Sequence, residues 1–204
     1  MTHNNNQLAP DVLSRLKQAT GSLHAQLDQQ LPLANPLAKE CDYLQHIHLF
    51  YQWLVAIQET LIHQAHLPQD YLDQNQQSLT WLAEDMQIAG MALSHSYLSF
   101  SLTPDHAAAW GVQYVIEGSY LGASVLFKRF AELRSIRCPM KFFRERSQGS
   151  ALRCKQFRQD IATVVNSEQD IVSAEQAARQ AFEHFLLLMS DAPQDQYESS
   201  QRYA

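Results

Sequence analysis

The residues able to do chemistry are few and unevenly placed. Nine histidines are scattered along the 204-residue chain, and three of its six glycines crowd into one stretch, "GVQYVIEGSYLGASVLFK". That stretch has no proline and is mostly apolar, so it reads as helix. Each glycine inside a helix costs roughly 1 kcal/mol relative to alanine. Gly111, Tyr114, Gly118 and Gly122 nevertheless share one stripe, because steps of three, four and seven residues return to the same side. Ser119 lies at the edge of the stripe and Ala123 is also small. Bare backbone of this kind serves one of two purposes. It lets a neighbouring helix pack closely, or it lets something flat lie against the peptide groups.

A flat ligand such as haem would want an axial side chain opposite, usually histidine. His24 stands in "LKQATGSLHAQLD", flanked by Leu23 and Leu27, with Lys17 and Thr20 before it on the same face. By spacing alone it is either a packing histidine or a ligand. His63 and His66 are three apart and could join Glu59 around a metal, or simply mark a solvated helix end. His46 and His48 cannot share a helix face, and His184 lies in an apolar stretch that suits a core histidine. His3, His95 and His106 lie near termini or helix ends.

The elements that must position these groups are helical throughout. Apolar periodicity and breakers give helices over about Pro10–Gln29, Ala38–Ala65, Ser78–Ile88, Thr103–Leu133, Ser150–Val165 and Ser167–Ser190. Pro32 and Pro36 separate the first two. Thr103 is expected to cap the glycine-bearing helix, with Pro104 and Asp105 in its first turn. Cys138–Pro139 opens a basic linker or short helix. No strand pattern, repeat or low-complexity block occurs. The expected fold is a single all-α domain over 10–190, with a flexible N-terminus (1–9) and a polar tail (191–204).

Composition narrows the function. A formal net charge of −6 argues against a nucleic-acid-binding body. The longest apolar runs fall short of a membrane span, and no secretion signal is evident, which leads to an expected cytoplasmic location. The three cysteines, Cys41, Cys138 and Cys154, fit free thiols in a reducing compartment. Ten of the fifteen basic residues fall between Lys128 and Arg158, either as a solvated face or as a docking surface for an acidic partner.

"LKQATGSLHAQLD" resembles the start of haem oxygenases, in which a first-helix histidine in an A-T-x-x-L-H context is the proximal haem ligand. "YVIEGSYLGASVLFKRF" resembles their distal helix, with its E-G-S-x-L-G core, and is nearest to the bacterial haem-degrading type. The order of the two motifs and the C-terminal "FEHF" agree, so the resemblance covers most of the chain. It implies an all-α haem oxygenase-like fold, with haem b held between the first helix and the glycine-bearing one. His24 would be the iron ligand, and Gly118, Ser119 and Gly122 would line the catalytic, oxygen-binding side. Lys17 and Tyr114 would meet the haem propionates. Lys128 and Arg129 are further cations for that purpose, or simply an exposed helix end.

The implied activity is oxidative cleavage of haem by O2 and reducing equivalents to biliverdin, carbon monoxide and free iron. The electrons would come from a donor such as a ferredoxin or a flavin reductase. Two alternatives stay open. One is a haem carrier or sensor that uses the same pocket without turnover. The other is a helical relative that binds a different small molecule and has no need of His24. A ferritin-like di-iron bundle is disfavoured by the absence of paired Glu-x-x-His motifs.

Overall fold

The computed structural model describes residues 11–35, 37–63, 67–93, 98–130 and 138–191. The expected flexible N-terminus, Pro10, Pro36, Ala65, His66, His95, Leu133, Arg134, Arg137 and the tail from 192 lie outside them. Seven α-helices and one 3-10 turn make up the described regular structure, with no strand among the described residues: α1 (Val12–Gln30), the turn Pro32–Ala34, α2 (Glu40–Leu61), α3 (Gln69–Ile88), α4 (His106–Phe130), α5 (Lys141–Ser147), α6 (Ser150–Val164) and α7 (Glu168–Asp191).

Local chemistry explains most boundaries. The Asp11 carboxylate accepts from the Leu13 amide and caps α1. At α4 the expectation of a Thr103 cap is corrected. The helix begins at His106, and Asp105 accepts from the Ala107 amide instead. Asp105 is also tied to Ser173 of α7. Burial alone would raise the Asp105 pKa, but hydrogen bonds from Ser173 and Ala107 hold it below its usual value. The third helix starts nine residues earlier than its apolar pattern suggested, at Gln69 rather than Ser78. Its buried face runs through Tyr71, Leu72, Asn75, Ser78, Leu79, Leu82, Asp85 and Met86, so polar residues occupy positions where periodicity looks for apolar ones.

α7 is the element against which the others assemble. It packs most extensively on α4, then on α1, and also on α2. Trp53 of α2 donates from Nε1 to the Ala181 carbonyl at 2.9 Å. Around that bond, Phe50, Trp53, Phe142, Phe143 and Phe185 form an aromatic core with ring centroids 5.2–5.8 Å apart between neighbouring pairs. Asp85, fully buried at the end of α3, accepts from the Lys141 and Phe142 amides and from the Tyr43 hydroxyl. It thereby satisfies the first turn of α5, whose preceding residue, Met140, is left-handed at φ 50°.

The three stripe glycines part company here. A Cβ on Gly111 would lie 2.1 Å from the Ala174 carbonyl oxygen, so this glycine allows α4 to cross the backbone of α7. A Cβ on Gly118 or Gly122 would meet nothing within 4 Å. Gly111→Ala is therefore expected to lower the apo-protein melting temperature through overpacking of about 1–3 kcal/mol. Gly118→Ala and Gly122→Ala should leave it unchanged or raise it by helix propensity. Thermal melts of the three variants decide this, and equal destabilisation by all three would refute the division.

His46 predicts a pH effect. It is buried among Phe50 and Phe143, its Nδ1 has no hydrogen-bond partner, and burial lowers its pKa to about 4. Between the unfolded value near 6.5 and 4, the unfolded chain takes up a proton that the folded chain refuses. Stability is therefore lost as pH falls through that window and is unaffected by His46 above it. At pH 5 the loss is about 2 kcal/mol. His46→Leu should melt less steeply between pH 8 and pH 5 than the wild type. Some slope should remain, because burial also lowers His48 and His184.

Candidate functional site

The first turns of α1, α4 and α7 are pinned together. Arg15 of α1 pairs with Glu168 and Glu175 of α7 at 3.0 and 2.7 Å. His106 of α4 lies 3.3 Å from Asp170 of α7. The three helices consequently share a direction, with α1 and α4 both laid on α7 and scarcely touching each other. Where they do meet, the half-buried Tyr114 hydroxyl lies beside the buried Thr20 side chain, whose own hydroxyl donates to the Leu16 carbonyl at 2.8 Å.

One turn further along each helix, roughly 6 Å, come His24 on α1 and Gly118 on α4. Helical rise thus places the residues first singled out in the sequence at matching heights on the faces of α1 and α4 that carry Thr20 and Tyr114.

Both helices are less buried toward their C-terminal halves, where Leu23 and Leu27 of α1 and Leu126 and Phe127 of α4 pack only partly buried against the core. No residue of α1 after Thr20 is buried. In α4 only Ala123 and Phe130 are buried after Tyr120. Gly21 faces open space, like Gly118 and Gly122. Leu121 and Val125, on the glycine side of α4, are 39% and 67% exposed. Apolar side chains left in water beside bare backbone suit a flat, largely apolar ligand.

His24 is 61% exposed, with its ring edge-on to Phe182 of α7 at 5.9 Å. Its Nδ1 lies 2.9 Å from the Asp28 carboxylate. Donation from Nδ1–H to Asp28 leaves Nε2 with its lone pair free and orients the ring. Asp28 had no role in the sequence reading, although its i,i+4 spacing from His24 is the signal that could have found it. Ser119 is half-buried, and its hydroxyl donates to the Ile116 carbonyl at 2.6 Å. Lys17 and Lys128 are exposed.

The other histidines part from this site. His184 is buried, bonded to the Leu98 carbonyl at 2.9 Å and packed on Phe100. Among the described residues, no cluster of three or more His, Cys, Asp or Glu side chains could hold a metal ion. A groove of about 490 Å³ is lined by α2, its C-cap Ile62 and α3, and holds none of the residues above.

The side of α4 opposite Gly118 and Gly122 carries a buried polar network that the sequence pattern alone did not indicate. Glu117 accepts from Arg153 Nε at 3.1 Å and from Gln113 Nε2 at 3.1 Å. Gln113 reaches Asn75, which accepts from Tyr120 at 2.9 Å. Ser78 links Tyr120 to the buried Arg146. Both guanidiniums lie over the Tyr120 ring, Arg146 at 4.0 Å and Arg153 at 4.8 Å. Burial raises the Glu117 pKa, with Arg153 and the Gln113 hydrogen bond opposing it. Gln113, Glu117 and Tyr120 stand at i, i+4 and i+7 in an otherwise apolar helix, which is the signal available in sequence.

The basic segment is consequently not one surface. Arg146 and Arg153 are used inside, Lys141 pairs with Glu84, and Arg144 pairs with Glu145.

A solved structure of similar shape is the haem oxygenase of Neisseria meningitidis, determined with NO and CO bound. The superposition gives a TM-score of 0.66 and covers 92% of this chain and 98% of that one, at 20% identity. The all-helical arrangement described above is therefore the haem oxygenase-like fold. No family model and no curated protein matches the sequence.

Removing the Glu117 carboxylate would leave Arg153 short of its buried partner. Glu117→Ala is expected to cost about 3–5 kcal/mol, and Glu117→Gln less, since the amide still accepts. Chemical denaturation midpoints of the apo-proteins measure this. A near-neutral Glu117→Ala would show that solvent already screens the pair.

Proposed function

We propose that the chain binds haem in the cleft between α1 and α4 and cleaves it oxidatively to biliverdin, carbon monoxide and iron. The observation that carries this reading is the exposed, Asp28-oriented imidazole of His24 at the height of the bare backbone of Gly118 and Gly122, with no residue of α1 after Thr20 buried. The likeness in fold to a haem oxygenase supports it.

Haem, as substrate, supplies the iron at which dioxygen is activated and the porphyrin carbon that is oxidised. This chain's residues would do the rest. His24 holds the iron through Nε2, and Asp28 fixes its tautomer. Gly118 and Gly122 keep the oxygen side free of side-chain bulk, with Ser119 at its edge. Leu121 and Val125 bury apolar surface against the macrocycle and exclude water. Lys17, Lys128 and Tyr114 are assigned to the propionates, where cations and a hydroxyl offset the two carboxylates. Reducing equivalents would arrive from an external donor such as a ferredoxin or a flavin reductase. No helix among the described residues is long and apolar enough to cross a membrane.

Hemin titration is expected to give one equivalent of binding and a Soret band, followed by conversion to biliverdin when a reductant is added in air. His24→Ala should lose the normal axial ligation and turnover while keeping the apo fold. Retention of the wild-type ferric spectrum in that variant would overturn the ligand assignment. Stable haem binding with no pigment formed under reduction would indicate a carrier or sensor instead.

A further inference from the structure

Arg129 is an exposed cation that uses its donors on backbone. Its Nη1 donates to the Leu33 carbonyl at 3.2 Å and its Nη2 to the Asn35 carbonyl at 2.8 Å. Both carbonyls belong to the short connection that follows α1, and Leu33 is fully buried there. Arg129 therefore joins the last turn of α4 to the segment immediately beyond α1.

Its position gives this contact its meaning. From Gly21 to Gln30, the half of α1 that carries His24 has no buried residue. The corresponding half of α4 is fully buried only at Ala123 and Phe130, with Leu126 and Phe127 partly buried against the core. Packing there is sparser than in the first halves of the two helices. Two contacts join α4 to α1 and the turn beyond it: Thr20 beside Tyr114 at one end, and the hydrogen bonds of Arg129 to the Leu33 and Asn35 carbonyls at the other. The planar guanidinium suits a pair of neighbouring carbonyls, whereas an ammonium offers no fixed fork.

We propose that Arg129 is a latch, a positioning residue that holds the far end of the cleft closed and slows the escape of the bound ligand. The latch rests on the haem reading of the cleft for its ligand but not for its mechanics. When the fork is in place, the His24 half of α1 is restrained at both ends. When it is lost, that half is tied to α4 only at Thr20, and the walls part more readily. The iron ligand is untouched in either case.

The test has two arms. In the apo-protein, amide hydrogen exchange over residues 21–35 is compared between wild type, Arg129→Gln and Arg129→Lys, with Arg158→Gln as a control for loss of a surface cation. Exchange in that segment should speed up several-fold in both Arg129 variants and not in the control, with the melting temperature near wild type. In the hemin-loaded protein, transfer of hemin to excess apomyoglobin should be about five-fold faster for Arg129→Gln, with the ferric spectrum unchanged. Unaltered exchange over 21–35 overturns the cross-link, and an unaltered transfer rate overturns its control of escape. If wild type shows no His24-dependent hemin spectrum, the haem reading and the escape role fall together. The exchange arm then still decides whether Arg129 ties the two helices.

Discussion

The crossing of α4 over α7 at Gly111 and Ala174 is the contact on which the arrangement depends. The peptide groups of the two helices meet there with no side chain between them. Because the approach is so close, α4 cannot translate or roll on α7 without a backbone clash. α1 is held on the same helix by the double ion pair of Arg15 with Glu168 and Glu175. Both helices are thus referenced to α7.

The buried network behind α4 acts on the same degree of freedom. Gln113, Glu117 and Tyr120 are bound to α3, α5 and α6 through Asn75, Ser78, Arg146 and Arg153. Hydrogen bonds are directional and leave a buried carboxylate few alternatives. They therefore fix which side of α4 turns inward, and hence that Gly118 and Gly122 turn outward. A purely apolar interface would tolerate more rotation. Holding two guanidiniums and one carboxylate out of water costs stability, which the aromatic face of Tyr120 and the surrounding acceptors partly offset, although Arg153 Nη2 has no hydrogen-bond partner.

Beyond Thr20 no residue of α1 is buried, and on the glycine side of α4 Leu121 and Val125 stay exposed. An apolar ligand seated there would cover that surface and so stabilise the folded state by mass action. Binding and the completion of the core would then be one event.

Much of this was legible in the chain alone. Helical periodicity and prolines gave the all-α class and most boundaries, because those signals act within a few residues. The start of α3 escaped, since Asn75 and Ser78 fill its buried face with polar groups that only a distant Gln113, Tyr120 and Arg146 satisfy. His24 and the glycine stripe could be named from sequence, but not what each glycine does. Gly111, Gly118 and Gly122 are equivalent by spacing, and only the position of α7 makes the first a packing contact and leaves the others open. The basic segment likewise reads as one patch in sequence. In three dimensions Arg129 goes to carbonyls, Arg146 and Arg153 go inside, and Lys141 goes to Glu84. Local sequence thus determined which elements form and which residue types they carry. The fate of each charge and each glycine was decided by partners tens of residues away, because burial and hydrogen bonding depend on what the folded chain brings alongside.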